Sequence, residues 1–143
     1  MRGIDMTNLI KGIEHICIKC KDKEEFSKVT EFYTTILGMD ILRSWGDEEH
    51  PYATFDTGNG GIEVFTEDVE DLPQGAIRHF ALATDDVDGC VAAVQKAGYP
   101  ITKGPDTLVL PSDPPYQLRM AFCIGPVGEE IEFFQGFGTP KTE

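Results

Sequence analysis

The sequence predicts an α+β protein built from two tandem βαβββ modules that form a curved mixed sheet around a cleft. Three observations predict it. First, the chain repeats itself. His15 opens the run His15-Ile16-Cys17-Ile18 with Asp22 seven residues on, and His79 opens His79-Phe80-Ala81-Leu82 with Asp86 seven residues on. Second, each opening is followed by a helix-period stretch and then by strand-like runs, at about 60 residues per copy, a spacing at which repetition marks a structural unit. Third, each copy closes on a strand that sets a glutamate between apolar residues: Gly61-Ile62-Glu63-Val64-Phe65 and Glu130-Ile131-Glu132-Phe133-Phe134.

Residues 12–20 read as a short β-rich strand through Ile13, Ile16 and Ile18. Asp22 is a helix N-cap candidate, with Glu25 placed as its capping-box partner. Phe26, Val29, Tyr33 and Ile36/Leu37 then recur at helical spacing, and Gly38 stands where a helix stops. Strands follow at 40–46 and 51–57. Gly58-Asn59-Gly60-Gly61 signals a hairpin into the strand that carries Glu63. The acidic stretch 67–76, with Pro73 and Gly75, reads as a connector.

The order then restarts. Residues 78–84 form a strand, Asp86 is the N-cap, Val87, Val91 and Val94 mark a helix face, and Gly98 closes it. Another strand begins at 99–103, and 117–124 with 129–135 make the last hairpin. Residues 104–118, with Pro105, Pro111, Pro114, Pro115 and Tyr116, depart from the symmetry. Proline on this scale excludes a central strand, which leaves a surface loop or a loop over the site. From Thr139 the chain reads as a tail. A single domain over 1–143 is expected, with module one at about 12–66 and module two at about 77–135.

Twelve Lys and Arg against 25 Asp and Glu give a net charge of −13. Such a surface repels phosphate backbones and anionic lipid, so neither nucleic acid nor membrane is expected as a partner. No apolar run reaches spanning length, and residues 1–12 lack the apolar stretch of a secretory signal, so the expected location is cytoplasmic. Cys17, Cys20, Cys90 and Cys123 read as reduced, mostly buried thiols. The Cys17–Cys20 spacing does not make a metal clip, since strand side chains three apart point to opposite faces.

Period-2 parity places His15, Cys17 and Lys19 on one face of the first strand, and Glu63 with Phe65 on one face of the fourth. In the second copy His79 lies with Ala81 and Ala83, and Glu132 with Phe134. The opposite faces are large and apolar, as packing against helices requires. Imidazoles and carboxylates in apolar strands are costly to bury uncompensated. A divalent metal held by His15, Glu63, His79 and Glu132 would compensate them. Two nitrogens and two oxygens suit nickel or zinc foremost, with cobalt, manganese or iron as alternatives. Four protein ligands leave positions open for substrate, the mark of a catalytic site. Arg119, near the last hairpin, either binds a substrate carboxylate or phosphate or pairs with an acid at the rim. Trp45 and Tyr52 either line the cleft or fill the core. His50, before Pro51, reads as a loop residue.

From residue 12 to residue 135 the chain resembles the vicinal oxygen chelate superfamily, the glyoxalase I-like and bleomycin-resistance-like proteins. The nearest local match is to bacterial glyoxalase I: Glu31-Phe32-Tyr33, Ile36-Leu37-Gly38-Met39, Leu42-Arg43, then the Glu63 and Glu132 strands. The resemblance puts the family's metal ligands on His15, Glu63, His79 and Glu132. It implies a lyase or isomerase that transfers a proton through an enediolate, with Glu132 or Glu63 as the base, on a hemithioacetal or related α-hydroxycarbonyl substrate. It also implies a homodimer, one His–Glu pair from each subunit at each site, with Lys19, Arg119 and Trp45 as substrate-binding candidates. Lys19 stands where bacterial glyoxalase I has Arg, and Glu67 where it has an Asn that helps hold glutathione. The glutamate would repel that tripeptide's carboxylates, so another thiol or another α-hydroxycarbonyl compound is the alternative substrate. Two other functions remain open: a methylmalonyl-CoA epimerase-like isomerase, and a bleomycin-resistance-type protein that sequesters a ligand.

Overall fold

The computed structural model describes residues 13–67, 79–112 and 114–141. The expected connector beyond Glu67 and the opening residues 1–12 lie outside the described residues. Eight strands and two helices follow in the order β1 (His15–Cys20), α1 (Lys23–Thr30), β2 (Ile41–Gly46), β3 (Pro51–Asp56), β4 (Gly61–Thr66), β5 (His79–Ala83), α2 (Val87–Lys96), β6 (Ile101–Leu110), β7 (Tyr116–Ile124) and β8 (Glu130–Gly138). They form two four-stranded mixed sheets of identical topology, β1-β4-β3-β2 and β5-β8-β7-β6. In each, the first and last strands of the module run parallel and the remaining pairs antiparallel. This is the expected α+β class with tandem βαβββ modules, its strands divided between two sheets.

The helix ends follow the expected chemistry. Asp22 Oδ1 accepts from the Glu25 amide at 2.8 Å, while Glu25 Oε1 accepts from the Lys21 amide at 2.9 Å. Asp86 Oδ1 accepts from the Gly89 amide at 2.9 Å. Gly38 and Gly98, at φ 80° and 93°, end the two helical stretches in the left-handed conformation glycine tolerates. α1 is shorter than the spacing suggests, because the chain widens into a π-helical turn over Glu31–Ile36. That turn still buries Phe32 and Tyr33 completely.

One core joins the modules. Val29, Phe32 and Tyr33 from the first helical stretch pack with Val87, Val91 and Val94 of α2, between the apolar faces of both sheets: Ile18, Phe55, Ile62 and Val64 on one side, Ala121, Ile131 and Phe133 on the other. The Phe32 and Tyr99 rings meet edge-on at 4.7 Å across the seam. Burial of such side chains contributes roughly 1.5–3 kcal/mol each. Each sheet packs one face on its own module's helix and into this core, so its other face turns away from the core.

The proline-rich stretch 104–118 is mostly strand rather than loop. Residues 104–110 belong to β6, and only 111–115 connect it to β7. The prolines did exclude a central strand, and β6 is an edge strand. Pro105 falls where the β6–β7 register shifts between Lys103 and Asp106, and Pro111 lies just past the strand's end, so neither removes a ladder donor.

Candidate metal and substrate site

Each outward face carries one His–Glu pair. His15 Nε2 lies 3.5 Å from Glu63 Oε1, and His79 Nε2 lies 3.3 Å from Glu132 Oε1. The environments match: the imidazoles are 40% and 41% exposed, the carboxylates 18% and 14%. The register matches too. His15 pairs with Gly61 and Cys17 with Glu63, while His79 pairs with Glu130 and Ala81 with Glu132. In both modules the parallel pairing of first and last strands sets the carboxylate beside the imidazole two residues along. The two pairs do not converge within the protomer. Among the described residues no three His, Cys, Asp or Glu side chains gather as a group able to hold a metal ion.

The donor chemistry of each pair fits half of a metal centre. Neighbouring ligands about 2.1 Å from one ion lie about 3 Å apart, close to the observed separations. His15 Nδ1 donates to Glu14 Oε1 at 2.8 Å, so Nε2 is left as the free donor atom facing Glu63. This contact is the main cause that raises the His15 pKa, with Glu63 adding and the Arg43 charge opposing. His79 is oriented differently, edge-on to the Phe122 ring at 5.2 Å.

Directly opposed strand residues share a face, so the register maps the lining. On sheet one, Glu63 lies opposite Thr54, and Thr54 opposite Arg43. The next row runs Lys19, Phe65, Tyr52, Trp45. Those aromatic rings touch: Tyr52–Phe65 at 5.0 Å, Trp45–Tyr52 at 5.8 Å and Trp45–Phe65 at 6.1 Å. On sheet two, Glu132 lies opposite Phe122, and Phe122 opposite Lys103. Lys103 Nζ sits 6.0 Å from the Phe122 ring centroid, and Tyr116 stacks on Phe134 at 6.3 Å. Lys19 and Trp45 therefore share the His15–Glu63 face.

Arg119 does not join them. It alternates to the helix side of β7, where Nε and Nη2 donate to the two Asp88 oxygens at 2.9 and 2.7 Å and Nη1 donates to Thr107 Oγ1 at 2.9 Å. Of the two roles the sequence left open for Arg119, the structure carries the ion pair. Cys17 also departs from expectation. It is exposed on the His15 face, whereas Cys20 and Cys123 are buried and burial pushes both thiols up to about 12.

Sequence reasoning missed Thr54, Arg43, Phe122 and Lys103 as lining residues. Parity carried back through the turn at Gly58 would have set Thr54 opposite Glu63. No local signal places Arg43, because the β2–β3 register shifts between Ile41 and Arg43. Also missed was the polar tie across the module seam, where the Tyr33 hydroxyl donates to Glu129 Oε2 at 2.7 Å. Burial raises the pKa of both groups. A seam cavity of about 360 Å³, lined by Leu37, Met39, Leu82, Cys90 and Phe133 among others, borders none of the four candidate ligands.

The family model of the Glyoxalase/Bleomycin resistance protein/Dioxygenase superfamily matches residues 12–133. The chain belongs to this superfamily. No curated protein sequence matches it. Solved structures share its fold. The trypanothione-dependent glyoxalase I of Leishmania major is 23% identical with a TM-score of 0.67, covering 88% of this chain and 87% of that one. The fosfomycin resistance protein FosX of Listeria monocytogenes is 20% identical with a TM-score of 0.69, covering 90% and 95%. TnmS3, an antibiotic binding protein from Streptomyces sp. CB03234, is 24% identical with a TM-score of 0.63, covering 90% and 98%. Proteins of this fold thus include a glyoxalase I, an antibiotic resistance protein and an antibiotic binding protein. No described helix is long and apolar enough to cross a membrane.

Proposed function

We propose that this superfamily member is a divalent-metal-dependent lyase or isomerase of glyoxalase I type, acting on a hemithioacetal or related α-hydroxycarbonyl compound in the cytoplasm. One observation carries the reading: two His–Glu pairs at identical register on two open, outward faces. Each pair is half a ligand set. A homodimer that lays module one of one subunit against module two of its partner completes the set of His15, Glu63, His79 and Glu132. Such a dimer also covers Ile41, Leu42, Trp45, Val109 and Leu110, apolar side chains that stand exposed in the protomer.

Nickel or zinc, or otherwise cobalt, manganese or iron, would supply Lewis-acid stabilisation of charge on two neighbouring substrate oxygens. The protein's own residues do the rest. Glu132 takes the proton from the carbon beside the carbonyl and returns it to the neighbouring carbon. Glu63 is the alternative base. The aromatic row on sheet one excludes water from the reacting carbons, and Lys19 and Trp45 lie where the substrate's remainder must pass.

The test is elemental analysis of the purified chain followed by assay with methylglyoxal and several thiols. The expected result is about one ion per chain, since each dimer holds two sites, together with isomerisation of a hemithioacetal. Stoichiometric metal without turnover of any hemithioacetal would refute the glyoxalase assignment. A second reading, sequestration of a planar ligand, is favoured by the Trp45–Tyr52–Phe65 row. A protein that binds ligand tightly and retains no metal would establish it instead.

A further inference from the structure

The charged side chains on the outward face of sheet one form a pattern that metal binding does not use. In a chain of net charge −13, carboxylates outnumber cations about two to one, and some of the described cations pair with them. Lys23 pairs with Glu49 at 2.7 Å and Arg119 with Asp88 at 2.7 Å. Arg43 has no ion-pair partner among the described residues, although it ends the cross-strand row that begins at Glu63. Between them stands Thr54, 2% exposed, whose Oγ1 has no hydrogen-bond partner among the described residues. A buried hydroxyl left unsatisfied is costly. Arg43 is exposed, so its guanidinium is open to a ligand. Both groups donate hydrogen bonds, and both belong to the face that carries His15 and Glu63. Beside them run the Phe65, Tyr52 and Trp45 rings.

We infer that Arg43 and Thr54 form an anion subsite beside the His15–Glu63 pair, and that the ligand there is a carboxylate attached to a planar apolar group. The guanidinium binds the carboxylate as a fork, the Thr54 hydroxyl donates to one oxygen, and the aromatic row stacks against the planar part. The inference rests on reading this face as the substrate site, and it names the substrate class for that reading: an acid with a ring. Module two lacks the equivalent pair of residues. Phe122 occupies the position of Thr54, and Lys103 lies against that ring.

Trp45 is the only tryptophan, so its fluorescence reports occupancy of this face without turnover or metal. The full-length protein is titrated with phenylacetate and with phenylacetamide, its neutral analogue. The expected result is phenylacetate binding about tenfold tighter or more, as a charge-assisted contact implies. Arg43→Gln should erase that preference, Arg43→Lys should keep part of it, and Thr54→Val should weaken phenylacetate several-fold while leaving the amide unchanged. Lys96→Gln, on the distant end of α2, should change nothing. Equal binding of acid and amide, or a preference that survives Arg43→Gln, would overturn the subsite. Because no metal or turnover enters the titration, a failure of the glyoxalase reading is seen separately, in the metal content and the hemithioacetal assay.

Discussion

Module one and module two carry the same functional pair on different surroundings. The His and Glu positions agree in register, separation and exposure. Almost everything around them differs. His15 is braced by a carboxylate, His79 by the edge of Phe122. Thr54 and Arg43 extend the Glu63 row, whereas Phe122 and Lys103 extend the Glu132 row. On the proposed reading, a spherical ion would meet only donor atoms, which the two pairs supply alike. A substrate has a shape and a charge distribution, which the two surroundings would meet differently. The difference teaches that, on this reading, metal chemistry would belong to the repeat and substrate choice to its departures from symmetry.

The sharpest way to break this comparison is to remove each glutamate in turn. Glu132→Gln should lower hemithioacetal turnover about 10²–10⁴-fold, the usual range for a lost general base. Glu63→Gln should lower it less while weakening metal retention equally. Equal losses of turnover from both would make the halves catalytically interchangeable.

The next comparison is mechanical. Phe55→Ala and Phe133→Ala remove buried rings from the two sheets, and each should cost roughly 3–5 kcal/mol in denaturant unfolding. With a single core, Trp45 fluorescence and far-UV circular dichroism should report coincident transitions in both variants. Separate transitions would mean that the modules unfold independently.

A smaller effect is expected at the seam. Tyr33→Phe leaves Glu129 buried without its hydroxyl donor and should cost about 1–3 kcal/mol. Burial raises the Glu129 pKa above its ordinary 4.5, so the folded state holds this proton more tightly than the unfolded one. The resulting stability is fully present below pH 4.5 and is lost as pH rises through the folded value. Glu129→Gln should therefore flatten that decline, read from urea midpoints on either side of the window. The smallest effects belong to the helix caps. Asp22→Ala and Asp86→Ala should each cost about 1 kcal/mol. Unequal costs would reveal that the π-helical turn after α1 changes what its cap supports.

Much of this was legible in the chain because it is local. Asp22, Asp86, Gly38 and Gly98 mark helix ends through their own side chains or their tolerance of positive φ. Strand parity alone sorted His15 from Ile16 and Glu132 from Ile131. The stretch after Gly104 is not legible in this way, because proline forbids ladder donation only where a neighbour strand needs it, and the sheet order decides that. Arg119 was equally ambiguous, since its partner Asp88 lies 31 residues away on α2.

Sequence by itself determined the repeat, the faces and the donor atoms, since alternation and capping act over a few residues. Only the tertiary structure decided that the apolar faces of both sheets join one core, which turns each His–Glu pair outward and keeps the two pairs from converging within the protomer. That choice is made by long-range packing of Phe32, Tyr33, Val91 and Phe133 in one core. No window of local sequence contains those contacts.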